Sequence, residues 1–111
     1  MALEWMTERG FRDRIESRVS STAGASGMER YEPAIADRIA ALIAANASRY
    51  RETEALRKIS EQRSEGDAMA SIAVLVTEAS QLAKSEGRTT VTIGDFEIAY
   101  KNKYCQVWPV C

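Results

Sequence analysis

The chain has 111 residues, 15 Lys and Arg, 16 Asp and Glu and no His, which gives one small domain with a formal net charge of −1. The absence of His excludes His-dependent catalytic triads and His metal ligands. Neither a phosphate-binding Walker loop nor a glycine-rich dinucleotide fingerprint is present. We therefore expect a binding or assembly protein rather than an enzyme, with no metal, no cofactor and no small-molecule substrate.

The sequence gives no sign of membrane insertion or export. Its most apolar stretch is far too short to span a bilayer. The first residues carry an acidic group and lack the apolar segment of a signal peptide. We expect a cytoplasmic protein with no membrane partner.

The first 31 residues are predicted to be an arm and a linker. Phe11, Ile15 and Val19 recur every four residues, so residues 1–19 are predicted to form an N-terminal helical arm. Residues 20–31 are predicted to be a flexible linker, because small residues follow one another there without an apolar period. The arm either covers an apolar surface of its own subunit or docks on another subunit.

Residues 32–104 are predicted to form the main domain. Pro33 suits the first position of a helix, and Ile35 and Ile39 begin an apolar stripe on that helix. A long helix is favoured from about Thr53 to Glu86. We find no internal repeat in the sequence.

Two details of the long helix and its end depend on glycine. Gly66 lies inside the long helix, unless Ser64 caps a new helix at this point. Gly87 is predicted to end the helix in a left-handed conformation. Thr92 and Asp95 then have the spacing of a capping box that starts a short helix.

The last seven residues, 105–111, are predicted to be a tail. Its cysteines, Cys105 and Cys111, are expected to be reduced in a cytosolic protein, although a disulfide would close a small loop. Pro109 stops any helix there. Trp108 either packs against the helices or binds a partner.

The segment from Leu82 to Lys101 resembles the second loop and third helix of the histone fold. The resemblance rests on Arg88, Thr90, Val91 and Asp95, which stand at the spacing of the family pattern. Lid domains of ring ATPases carry a similar signature, but this chain has no ATPase module. The resemblance implies an all-α, histone-like fold (short helix, long central helix, short helix) with an extra N-terminal helix.

A handshake dimer is implied by the resemblance and supported by the apolar pattern. The long helix carries more apolar positions than a small single chain is expected to cover. The predicted dimer interface consists of Leu56, Ile59, Met69, Ile72, Leu75, Val76, Ala79 and Leu82. We expect a homodimer, and a larger oligomer is left open.

Two functions follow from the resemblance, of which the first is the expected function and the second is the alternative. The first is backbone binding of double-stranded DNA without base specificity, in a nucleoid or chromatin role, with Arg88 and Asp95 also bracing the loop. The predicted DNA-binding residues are Arg88, Thr89, Thr90, Lys84, Arg57, Lys58, Arg49 and Arg51. The second is a scaffold that binds protein and not DNA, which suits the acidic balance and Thr89, a position where DNA-binding relatives usually carry a basic residue.

Overall fold

The computed structural model describes the backbone of residues 10–107 and the side chains of residues 10–102. The elements in this part of the chain are α1 (Phe11–Ala25), β1 (Arg30–Tyr31), α2 (Ala34–Ala45), α3 (Ala47–Arg57), α4 (Glu61–Ser85), β2 (Thr90–Val91) and α5 (Ile93–Val107). The fold is therefore all-α with one very small strand pair. None of these helices is both long and apolar enough to cross a membrane. The predictions for residues 1–9 and for Trp108, Pro109 and Cys111 fall outside the described residues.

The core lies around α4. This helix packs against α1 on one side and α5 on the other, and α1 and α5 each also contact α2. The largest fully buried side chains come from four helices; they are Phe96, Ile15, Ile35, Ile39, Ile43, Ile72, Leu75, Val19 and Val76. One continuous apolar core thus joins segments from both ends of the chain.

The apolar stripe of α4 is covered within the single chain. Met69, Ile72, Leu75, Val76 and Ala79 are all buried. The premise that this stripe needs a partner subunit is therefore wrong, because α1 supplies the apolar surface that the sequence analysis assigned to a second copy.

The other three residues of the predicted interface behave differently. Ile59 and Leu82 are half-buried, and Leu56 is 76% exposed. Leu56 stands in the last turn of α3, so the uncovered part of the predicted interface lies where α3 ends.

The arm and linker differ from their prediction. Helix α1 runs to Ala25, so residues 20–25, predicted to be flexible, form its last turns. Val19 and Ala23 are buried against the core. Burial of these two side chains outweighs the weak helix propensity of the Ser-, Thr- and Gly-rich segment. The predicted arm is thus part of the domain from Gly10 onward.

The predicted long helix is broken. Helix α3 ends at Arg57, and the next residue, Lys58, has φ 53° and ψ 42° in the left-handed region. Helix α4 begins after Ser60, whose side chain accepts a hydrogen bond from the Arg63 backbone N–H at 3.1 Å. The central helix therefore starts at Glu61, where a Ser cap and an acidic first turn favour it.

Gly66 lies inside α4, as favoured from the sequence. A Cβ added there would have no neighbour within 4 Å, and its φ is not in the left-handed region. Gly66→Ala is therefore expected to raise the free energy of unfolding by about 0.5–1 kcal/mol, because alanine loses less backbone entropy on folding. Urea denaturation of the wild type and the variant measures this difference in the free energy of unfolding.

The matched control for Gly66→Ala is Gly87→Ala. Gly87 also has open space around it, but its φ is +75°, as the predicted left-handed cap requires. Alanine at Gly87 is expected to destabilise the protein by about 1 kcal/mol. An equal effect of the two substitutions would contradict the assignment of Gly66 to a regular helix.

The two strands pair in parallel and connect distant parts of the chain. Arg30 lies opposite Thr90, and Tyr31 lies opposite Val91. The Glu32 backbone N–H donates to the Val91 carbonyl at 2.9 Å. This pairing fixes the end of α1 beside the end of α4.

The structure contains a repeat that the sequence analysis did not find. At an offset of 60 residues, a helix, a left-handed glycine, a two-residue strand and a second helix recur in the same order. Gly27 and Gly87 have φ of 86° and 75°. The backbone N–H groups of the next residues, Met28 and Arg88, each donate to a carbonyl five residues earlier at 2.9 Å. Both halves therefore end their first helix in the same way.

Candidate nucleic-acid interface

Arg88 is the central residue of the predicted DNA-binding loop, and its guanidinium is fully engaged. It donates to the two carboxylate oxygens of Asp95 at 2.7 and 2.8 Å, and to the Thr90 carbonyl at 3.2 Å. It also pairs with the Glu86 carboxylate. The hydrogen bonds to Asp95, followed in size of effect by those to Glu86, raise the pKa of Arg88 above its ordinary value. The predicted Arg88–Asp95 pair is present, with a second acid that was not predicted.

Asp95 is held from several sides at the start of α5. It is 4% exposed, and it accepts hydrogen bonds from the Thr92 backbone N–H at 2.9 Å and the Thr92 hydroxyl at 3.0 Å. The Asp95 backbone N–H donates back to the Thr92 hydroxyl at 3.2 Å, which completes the predicted capping box. Hydrogen bonds from Arg88, supported by those from Thr92, lower the pKa of Asp95 to about 2.

The two threonines of the loop face different surroundings. Thr89 is exposed, and its hydroxyl donates to the Glu29 carboxylate at 3.3 Å. Its carbonyl accepts backbone hydrogen bonds from Glu29 and Arg30. Thr90 is half-buried and belongs to β2. Two of the groups that were predicted to face phosphate, Arg88 and Thr89, therefore have a carboxylate beside them.

Acidic and basic residues are mixed at this end of the molecule. Lys84 and Arg30 are exposed here, and so are Glu29 and Glu86. Because acids and bases alternate over a few residues, the strand-pair surface carries no excess of positive charge. Backbone binding of DNA depends on such an excess, since phosphate neutralisation supplies most of its affinity.

The remaining predicted DNA-binding residues lie elsewhere. Arg57 and Lys58 end α3, next to the start of α4, whereas Lys84 stands at the far end of α4. A helix of 25 residues places these ends roughly 36 Å apart. Arg49 and Arg51 lie on α3 as well. The structure therefore does not bring the predicted cations together at one end of a single chain.

Glu32 plays a role that the sequence analysis missed. Its carboxylate accepts a hydrogen bond from the Ile93 backbone N–H at 2.8 Å, across 61 residues of sequence. Ile93 is the first residue of α5, so Glu32 caps that helix from the other half of the chain. No local pattern could have indicated this, because the two residues meet only through the strand pairing.

Exposed apolar residues mark other surfaces. Val74 on α4 and Ile98 on α5 are both exposed, Ile98 at 51%. Ile98 lines an open depression of about 570 Å³ together with Glu97, Tyr100 and Lys101. Arg38 of α2 borders this region, since it pairs with Glu97 at 2.6 Å and lies over the Tyr100 ring at 5.9 Å.

Among the side chains of residues 10–102, no group of three or more His, Cys, Asp or Glu is placed to hold a metal ion. No family model, curated protein or solved structure matches this chain. The interpretation of its function therefore depends on the geometry of its own residues.

Proposed function

We propose that this chain is a small, non-catalytic scaffold subunit with a histone-like fold, which associates with protein and not with DNA. The observation that carries the proposal is the state of Arg88. Its guanidinium is paired with the carboxylates of Asp95 and Glu86. Arg88 therefore acts as a brace of the loop, and its charge is not free to neutralise a phosphate.

The histone-like part of the proposal is supported by the loop geometry. A short strand lies between two helices, the Arg88–Asp95 pair bridges that strand, and Thr92 caps the second helix. The first partner we propose is a second copy of the chain, since Leu56 remains uncovered at the end of α3. Leu56 belongs to the interface predicted from the sequence.

A salt titration against DNA tests the proposal. The purified chain is titrated onto a labelled random-sequence duplex at low salt, and its mass is measured in the same buffer. We expect no measurable binding. Binding that falls steeply with salt would contradict the proposal, and its slope would count the phosphates contacted.

The matched variant is the double substitution Glu29→Gln and Glu86→Gln. It removes two exposed acids, Glu29 and Glu86, and leaves the pair of Arg88 with the buried Asp95 carboxylate in place. We expect this variant to acquire weak, salt-sensitive DNA binding. If it also fails to bind, Glu29 and Glu86 are not what keeps the chain from binding DNA, and that part of the argument is wrong.

A further inference from the structure

Two halves of similar construction make up the described chain. The first half, residues 11–57, contains α1, β1, α2 and α3, and the second half, residues 61–107, contains α4, β2 and α5. Their interface includes the packing of α1 on α4, the β1–β2 pair and the contact of α2 with α5. The Glu32 cap on Ile93 also crosses it. Each half therefore provides what the other needs to bury its apolar face.

The connection between the halves is only three residues long, Lys58 to Ser60. Lys58 has φ 53°, and among the described residues it is the one non-glycine residue with positive φ. The left-handed conformation is unfavourable for any residue that has a Cβ. The sequence Lys-Ile-Ser contains neither Gly nor Pro, so nothing in it forbids a helix. A helical conformation of these residues would join α3 and α4 into one helix from Ala47 to Ser85.

We infer that two copies of this chain can exchange halves through this connection. In the exchanged dimer the first half of one copy packs on the second half of the other, and every contact between halves is kept. Only residues 58–60 change conformation. Such an exchange makes a dimer at low energetic cost. The inference specifies how the proposed scaffold associates with itself, and so it rests on the proposed function.

The residues beside the connection favour a second copy as the occupant. Leu56 is 76% exposed, and Ile59 is half-buried. In the exchanged dimer both lie on the continuous helix, where the two copies cross. Four apolar side chains, two from each copy, then meet at a point where the closed chain leaves Leu56 exposed and Ile59 only half-buried.

A cysteine pair across the strands detects the exchange directly. Arg30 and Thr90 are strand partners, and adjacent strands lie about 4.8 Å apart, within the reach of a disulfide. Arg30→Cys and Thr90→Cys are introduced together, with Cys105→Ser and Cys111→Ser to remove the native thiols. The protein is refolded at micromolar and at near-millimolar concentration, separated by size and oxidised.

Non-reducing electrophoresis then gives the result. We expect the dimer fraction to form disulfides between chains and the monomer fraction to form them within one chain. A dimer fraction with disulfides only within chains would overturn the exchange while leaving self-association intact. A chain that stays monomeric at every concentration would overturn both the exchange and the proposed homodimer.

Two substitutions at the connection are expected to act in opposite directions. Lys58→Gly suits the left-handed closed form and weakens the continuous helix, so it should raise the dimer dissociation constant roughly 30-fold or more. Ser60→Ala removes the cap that only the closed form needs, and should lower that constant roughly 10-fold.

The control for the glycine substitution is Glu52→Gly, at an exposed position that is helical in both forms. It should leave the dimer dissociation constant unchanged, because the cost is the same in the closed and exchanged forms. Equal effects of Lys58→Gly and Glu52→Gly would overturn the assignment of residues 58–60 as the point of exchange.

Discussion

Replacing Phe96 by alanine is expected to lower the free energy of unfolding by about 3–5 kcal/mol. Phe96 is the largest of the fully buried side chains and is 0% exposed. Its ring stacks on Tyr100, with 6.4 Å between the ring centroids. The substitution leaves a cavity where the ring was. Because residues from both halves form one core, a local shift of α5 cannot fill that cavity. A loss of this size is a large fraction of the 5–15 kcal/mol typical of a small domain.

Ile98→Ala provides the control for Phe96→Ala on the same helix. Ile98 is two residues further along α5 and 51% exposed. We expect its truncation to change the free energy of unfolding by less than about 0.5 kcal/mol. Urea denaturation followed by circular dichroism gives both values. A comparable loss for the two variants would show that the outer face of α5 is covered in solution, and would contradict the single-chain core.

Asp95→Asn is expected to remove roughly 2 kcal/mol of stability at neutral pH. The carboxylate is almost fully buried, and Arg88 holds its pKa at about 2, below the ordinary value of 3.8. That shift corresponds to roughly 2 kcal/mol in favour of the folded state when Asp95 is ionised. Asparagine keeps the shape of the cap but removes the charge that Arg88 needs.

The effect of Asp95→Asn has a defined pH dependence. Because the pKa of Asp95 is lower in the folded state than in the unfolded state, its contribution is complete above pH 3.8 and is lost as the pH falls towards 2. The difference in stability between wild type and variant should therefore shrink over this interval. Urea denaturation at neutral pH and at about pH 3 measures it. A difference that does not change with pH would contradict the ionised pair.

Glu97→Gln is the matched control for Asp95→Asn. Glu97 pairs with Arg38, but both side chains are about two-fifths exposed. Exposed ion pairs contribute little, so the expected loss is below about 1 kcal/mol. A control that is as destabilising as Asp95→Asn would mean that burial of the Asp95 carboxylate is not the source of its effect.

Local signals in the sequence predicted local structure well. The left-handed Gly87, the start of a helix after Pro33 and the capping box of Thr92 with Asp95 are all present. Each depends on residues within a few positions of one another, where backbone sterics and side-chain hydrogen bonds decide the conformation.

Tertiary packing decided the features that the sequence analysis missed. The segment after Val19 has the composition of a linker, yet burial of Ala23 keeps it helical. The break at Lys58 was missed because no helix-breaking residue stands there. The repeat was missed because only Ser20, Ala23 and Gly27 recur at the offset of 60, while buried positions such as Ile15 and Leu75 match in character and not in identity.

The candidate site was predicted only in part, for the same reason. Arg88 and Asp95 are seven residues apart, and their pairing follows from a local pattern. Glu29 and Glu32 reach the loop from the other half of the chain, and only the strand register brings them there. The balanced numbers of acidic and basic residues along the sequence therefore did not predict that a carboxylate from the other half, that of Glu29, would lie beside Thr89.

The strand pair also constrains the order in which the chain folds. Joining Tyr31 to Val91 closes a loop of about 60 residues, which costs about 3.6 kcal/mol in chain entropy beyond a constant. Two-residue strands offer only a handful of hydrogen bonds, each contributing about 1 kcal/mol net. The pairing therefore cannot form before the helices have docked. In the folding transition state these strands are expected to be the least organised part of the molecule, so that substitutions in them change the unfolding rate and not the folding rate.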